Sequence, residues 1–359
     1  MSHRLVYLTL ALLIAATLAF SGCSQRSQAG GEGTIEITDM AGRTVEVPEE
    51  VDRVVGVGAG SLRLITYLNA THKVVGVEDF EKSDHLRPYI MAHPELTELP
   101  SIGPQHGGDA ELIAAQDPDV IFWTYTKAGD ADNLQQKTGI PVVVLEYGRP
   151  HEEGRKTFYD ALRLMGDIIN KEDRAEELIQ YMNTTIRDLN HRTKDISEEV
   201  KPAVYVGGVA HRGAHGIVST EPAYAPFEYL DARNVAGGLG LEHAMVSREK
   251  LTQWNPDIIF VDRQGYSLVE KDLERAEYHS LDALTDNKMY GILPYNYYTT
   301  NYATVVANAY YIGKVIYPES FSDIDPQKKA NEIYNRFVGK PVYEEMENEF
   351  GGFGKLDLD

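Results

Sequence analysis

Residues 111–122 read ELIAAQDPDVIF, and residues 249–260 read EKLTQWNPDIIF. Glu, Pro, Asp, Ile and Phe recur in register, with an offset of 138 from Glu111 to Glu249. Each copy predicts a helix led by Glu, a stop at Pro-Asp and a buried strand of β-branched and aromatic residues. One such junction is ordinary. Two with the same internal spacing point to two related lobes.

Working outward, strand and helix signals alternate around both copies. Residues 34–38 and 44–47 alternate about a turn at 39–42 and predict a hairpin. Residues 54–57, 74–77, 120–123 and 141–145 predict buried strands, with helices over 61–68 and 109–115. The second half repeats the plan, with strands at 203–206 and 258–261 and helices at 223–230 and 248–253. Such alternation predicts an α/β fold whose parallel sheets are covered by helices.

Between the halves, Phe158, Leu162, Met165 and Ile169 follow helical spacing, and Ala175, Ile179, Met182, Ile186 and Leu189 continue it. The second of these helices, about 22 residues, would span roughly 33 Å. It is long enough to join two lobes stiffly, or to cover a core as an ordinary helix. Near the C-terminus, residues 302–316 predict an apolar helix, and Asp325-Pro326 starts another with a cap and a first-turn proline. The expected boundaries are a leader at 1–23, a tether at 24–33, a first α/β lobe at 34–153, a helical block at 154–193 and a second α/β lobe at 194–359.

The leader has a short positive start at His3 and Arg4, an uncharged apolar run over 5–20, then Ser21-Gly22-Cys23. That is the plan of a secretory signal peptide, too short to span a bilayer comfortably. FSGC at 20–23 looks like a lipobox, with Phe where Leu is usual, and makes Cys23 the expected lipidation site. SQRSQAGGEG at 24–33 is small, polar and Gly-rich, as a flexible tether should be. The body is therefore expected outside the cytoplasm, held to the outer face of the membrane.

Composition narrows the function. The 359 residues carry a formal net charge of −21, which repels nucleic-acid backbones. A single cysteine excludes an intramolecular disulfide and a cysteine-based zinc site. The chain is rich in tyrosine, with 22 Tyr against 10 Phe.

The chain resembles the substrate-binding proteins of ABC importers for iron(III)-siderophores, cobalamin and haem. The resemblance is carried by ITDMAGRTVEVPEEVDRVV, GGDAELIAAQDPDVIF, TGIPVVVLEYG, and NVAGG followed by SREKLTQWNPDIIFVD, and covers about residues 34–338. It implies two α/β lobes joined by one long helix, with the ligand in the cleft between them. It further implies a monomer that docks on an ABC permease and its ATPase through one glutamate per lobe. By motif position these are Glu111 and Glu249, the pair that heads the internal repeat. It implies binding without covalent chemistry, resident metal or cofactor. An iron(III) chelate leads as ligand, with cobalamin, haem or an oxyanion such as molybdate as alternatives.

Ligands of doubly wound sheets sit beyond the carboxyl ends of the strands. The residues that follow each strand are therefore the candidate ligand contacts: Ser61, Arg63, Tyr125 and Arg149 in the first half, and His211, Arg212, Arg263, Tyr295, Tyr297 and Tyr298 in the second. Arginine pairs oxyanions bidentately, and tyrosine offers a flat face with a hydroxyl at its rim. Two enzyme readings compete. Gly56-Val-Gly58-Ala-Gly60, with Glu78 after the next strand, approximates a dinucleotide fingerprint but has GxGxG spacing instead of GxGxxG. An exported metal-dependent hydrolase could draw on 11 His, but neither HExxH nor GxSxG occurs. A surface adhesion protein is a third reading; Asn69 and Asn183 head possible glycosylation motifs.

Overall fold

The two copies of the repeat occupy equivalent places in two separate sheets. The computed structural model describes residues 33–83, 87–240 and 243–357. Cys23 and all but the last residue of the expected tether lie outside the described residues. A hairpin of β1 (Thr34–Thr38) and β2 (Thr44–Pro48) opens the body. The first sheet contains β3 (Val54–Val57), β4 (Val74–Gly76), β5 (Val120–Thr124) and β6 (Val142–Leu145), all parallel, in the order β4-β3-β5-β6. β7 (Ala203–Gly207) leads into the second half, where β8 (Ser219–Thr220) and β10 (Ala244–Met245) form a small antiparallel ribbon. With β7, β9 (Arg233–Asn234), β11 (Ile258–Asp262), β12 (Met289–Ile292) and β13 (Gly354–Lys355) make the second sheet. Its order is β13-β12-β11-β7-β9, parallel except for β13 at one edge.

The helices used below are α1 (Ser61–Tyr67), α2 (Ala110–Ala114), α3 (Ala128–Thr138), α4 (Glu152–Ile168), α5 (Glu172–Thr193), α6 (Arg248–Trp254), α7 (Tyr302–Ile316) and α8 (Pro326–Val338). The repeat explains itself at atomic detail. Asp109 caps α2 by accepting from the amides of Glu111 and Leu112, and Ser247 caps α6 through the Lys250 amide. Each chain then turns through a left-handed residue, Asp117 (φ 48°) or Asn255 (φ 42°), ahead of the proline. The following aspartates close matching two-bond clamps. Asp119 N donates to Arg53 O at 2.8 Å while its Oδ2 accepts from Arg53 N at 2.8 Å. Asp257 N donates to Ala203 O at 2.8 Å while its Oδ2 accepts from Ala203 N at 2.6 Å. Each Pro-Asp thus fastens a strand, β5 or β11, to the start of its neighbour, β3 or β7.

Alternate residues of each strand serve two cores. Val120 and Phe122, Val143 and Leu145, Val204 and Val206, and Ile258 and Phe260 all enter one central cluster. Ile121, Val142 and Val144 face an outer cluster with Ile113 and Leu134. Tyr205, Ile259 and Val261 face another with Leu251 and Val269. The central cluster is shared by both sheets and by α4, α5, α7 and α8, through residues such as Phe158, Met182, Val305 and Phe337. α7 is buried along nearly its whole length, which its sparsely polar sequence dictates. The 22-residue α5 connects the halves and also packs on α4 and α7, so it is both joint and cover. The C-terminal helices do not stay with the second sheet. α8 packs on α1 of the first half, where Phe337 meets Tyr67 edge-on at 5.0 Å. The described residues from 35 to 357 form one compact unit.

Candidate functional site

The segment between β12 and α7 reaches from the second half into the first. Asn301 closes it by donating from its amide to Tyr295 O at 2.7 Å and from its side chain to Tyr297 O at 3.2 Å. Arg63 of α1 is sealed from solvent and holds the far side. Its guanidinium donates to the carbonyls of Tyr297 (3.0 Å), Tyr298 (2.9 Å) and Thr300 (3.0 Å), and to the Tyr147 hydroxyl (2.8 Å). It also lies over the Tyr89 ring, 4.9 Å from its centroid. Tyr147 adds a bond to Thr300 O at 2.8 Å, and the Tyr125 and Thr299 hydroxyls share one of 2.7 Å.

Glu78 fixes the tip of the same loop. Its carboxylate accepts from Tyr298 Oη at 2.6 Å and from the Gly58 and Gly107 amides at 3.1 and 3.2 Å. Burial pushes its pKa up, and these donors partly offset the rise. The Tyr298 ring sits 4.2 Å from Phe80 and 5.5 Å from His106. Behind it, buried Glu81 pairs with Arg87 at 3.2 Å and accepts from Tyr89 Oη at 2.8 Å. The glycine turn is occupied in the same way. Gly58 N is committed to Glu78, and Gly60 (φ 88°) would drive a Cβ to 2.3 Å from Tyr147 and 2.8 Å from Thr299. Its glycines serve a close approach of protein to protein.

Several expected ligand contacts have other work. Ser61 Oγ donates to Phe122 O at 2.9 Å, tying α1 to β5. Arg63 binds the loop just described. Tyr295 is buried and packs 5.7 Å from Tyr224, and neighbouring Tyr302 stacks on Phe158 at 3.8 Å. Arg263 holds the C-terminal tail through Gly351 O (3.0 Å) and Gly352 O (3.2 Å) and covers Tyr266. Most of the 22 tyrosines are buried. The tyrosine excess therefore builds core more than cleft.

What remains accessible forms a rim. Tyr125 is 62% exposed and stacks 6.2 Å from Tyr147. It borders a pocket of about 400 Å³ lined by His106, Trp123, Asn133 and Lys137. Tyr297 is half-buried, stacked on Phe80. Arg149 is exposed, and its charge reaches Glu221 of the second half. His211 and Arg212 are exposed on the loop after β7, which Asn296 joins through a 2.8 Å bond to Ala210 O. The His211 ring stacks on His243 at 4.2 Å, a partner that sequence reasoning missed. Backbone strain marks the same places. Among the described residues, positive φ outside Gly, Asn and Asp occurs at His106, Tyr125, Arg212, Tyr298 and Thr299. Side chains with a Cβ resist that region, and such strain gathers at binding sites.

Glu111 and Glu249 are exposed and hold the same position, second in their capped helices. At Glu249, its own backbone amide and Ser247 lower the carboxyl pKa. Among the described residues, no three His, Cys, Asp or Glu side chains are placed to share a metal ion, and no helix is long and apolar enough to cross a membrane.

Comparisons with known proteins agree with this architecture. The chain is 26% identical to the molybdate-binding protein MolA of Haemophilus influenzae, over 93% of this chain and 96% of that one. The solved structure of MolA bound to molybdate superposes with a TM-score of 0.67 at 24% identity, covering 86% of this chain and 98% of that one. A periplasmic solute-binding protein from Veillonella parvula gives a TM-score of 0.69 at 20% identity, with 89% and 97% covered. The Fe(3+)-citrate-binding protein YfmC of Bacillus subtilis is 24% identical over 80% of this chain and 89% of its own length. All are named as binding proteins, not as enzymes. The model of the periplasmic binding protein family matches residues 54–295, from β3 through β12. With two parallel sheets, one long connecting helix and a loop pinned between the halves, the chain belongs to that family.

Proposed function

We propose that this protein captures a compact anionic metal species outside the cytoplasm and presents it to an ABC permease with its ATPase. An iron(III) chelate of the citrate type, or an oxyanion of the molybdate type, suits the site. The observation that carries this reading is the closure of the tyrosine loop. Arg63, Tyr147 and Glu78 hold residues 297–300 against the first half, and Tyr295 and Tyr302 are in the core. The flat surface that a haem or a corrinoid would need is therefore small, whereas the rim offers Arg149, Arg212, imidazoles and hydroxyls to an oxygen-rich anion. The relatives named for molybdate and for Fe(3+)-citrate support the same class. Lipidation of Cys23 would keep the protein at the membrane face, and Glu111 and Glu249 would fix its register on the permease.

The test is a thermal-shift and calorimetric screen of residues 24–359 against molybdate, tungstate, sulfate, ferric citrate, haem and cobalamin. A true ligand stabilises by RT ln(1 + [L]/Kd), about 2.7 kcal/mol at a hundredfold excess over Kd. Molybdate or ferric citrate should raise the melting temperature. Stabilisation by haem or cobalamin alone would overturn the reading.

A further inference from the structure

His215 and His243 have their protons assigned by their neighbours. Ser219 Oγ gives its one proton to Val209 O at 2.7 Å, so at its 2.9 Å contact with His243 Nε2 it accepts. The Nε2 atom of His243 therefore carries hydrogen. His215 Nε2 lies 2.8 Å from His211 O, a carbonyl that only accepts, so it carries hydrogen too. In the neutral rings the remaining nitrogen, Nδ1, is then a bare acceptor in both. The His211 ring stacks on His243 at 4.2 Å and 13°, and His215 stands 5.9 Å from His243. Arg212 lies on the same loop in a strained left-handed conformation.

Among the described residues, the charges that act on His211 and His243 are those of Arg212 and the neighbouring imidazoles. Burial, then Arg212 and His215, push the His211 pKa down; burial, then His211 and His215, do the same to His243. Among the described residues, Asp272 meets the same loop, where it accepts from Ile217 N at 3.1 Å, and it lies 3.8 Å from Arg275. Within a chain of net charge −21 this is a local concentration of potential positive charge.

We propose that His211, His215 and His243, with Arg212, form an anion-receiving rim that takes up protons as its ligand binds, so that capture tightens in acid. The inference rests on the anion-binding reading above and adds its coupling to protons. An unprotonated Nδ1 meets an anion lone pair to lone pair. A protonated Nδ1 donates to it, and the anion in turn relieves the crowding of like charges beside Arg212. Anion and proton therefore bind cooperatively, and the coupling is reciprocal. For each proton taken up, Kd falls about tenfold per pH unit between the free and bound imidazole pKa values.

The experiment is calorimetry of the mature protein with molybdate, and in a second arm with ferric citrate, from pH 8 to pH 6. Each titration is run in two buffers of different ionisation enthalpy, which counts protons directly. Wild type should bind severalfold to tenfold more tightly per pH unit and absorb close to one proton near pH 7. The H211Q/H215Q/H243Q variant, with its melting temperature checked, should lose both the slope and the uptake. A single H243Q variant, which leaves the loop bond of His215 in place, should lose part of them. Anion binding with a flat pH profile in wild type, or an unchanged slope in the triple variant, overturns the rim and leaves the anion-binding reading standing. Binding of neither anion overturns both. Binding of Zn(II) or Ni(II) alone to the trio, with no anion effect, would also sink it.

Discussion

Asp262 sits at the end of β11 with no solvent exposure, and among the described residues its Oδ2 has no hydrogen-bond partner. Burial lifts its pKa from 3.8 to about 7, with the Gln264 amide as the opposing hydrogen bond. The folded protein thus keeps a proton that the unfolded chain releases near pH 4. Its contribution is complete below the unfolded value and is lost as pH rises through about 7. The ceiling is about 4 kcal/mol, since one pKa unit corresponds to roughly 1.4 kcal/mol. Wild type should therefore melt lower at pH 8 than at pH 5, and Asp262→Asn should flatten the profile. Calorimetric melting across that range decides; an unchanged slope in the variant would refute the assignment. Glu221, also pushed up by burial, has the same sign and explains any remaining slope.

At the scale of elements, the loop from Tyr295 to Asn301 depends on one side chain. Arg63→Met keeps the length and removes every donor. The carbonyls of Tyr297, Tyr298 and Thr300 would then lose their guanidinium. Thr300 O keeps the Tyr147 hydroxyl and Tyr297 O keeps the Asn301 side chain, so among the described residues Tyr298 O is the carbonyl left without a donor. At roughly 1–3 kcal/mol for a buried group left unpaired, a loss of that order is expected in denaturant unfolding, together with weaker ligand binding. An unchanged midpoint would show that the loop stands alone. This element also shows where sequence reading stops. The sheets were legible because their strands are short apolar runs, and because a leading Glu and a closing Pro-Asp mark both junctions at the same spacing. The loop was not, because Arg63 binds backbone carbonyls, which any residue supplies. Arg63 and Tyr298 were read as ligand contacts, and the structure gives each a protein partner. His243 was invisible for another reason. It sits just ahead of β10, whose pairing with β8 involves two residues per strand, too short for any periodicity to reveal.

At the scale of the whole molecule, the repeat makes a prediction about the partner. Glu111 and Glu249 stand at equivalent helix positions on the two halves, far apart in sequence but alike in setting. Replacing both by Ala should abolish transport in cells while leaving ligand Kd unchanged, because neither lies among the cleft residues. A fall in affinity would move them into the site; full transport would remove them from the interface. The two halves also differ from paired domains in one respect. Their inward faces meet in a single cluster that α7 and α8 complete, and α8 comes from the end of the chain to cover α1 near its start. Half of this protein is therefore not a smaller protein. Cut after α5, the first half would present Val54, Phe122, Leu145 and Phe158 without their cover. The repeat that the sequence displays is thus a pattern of two matching junctions inside one shared core.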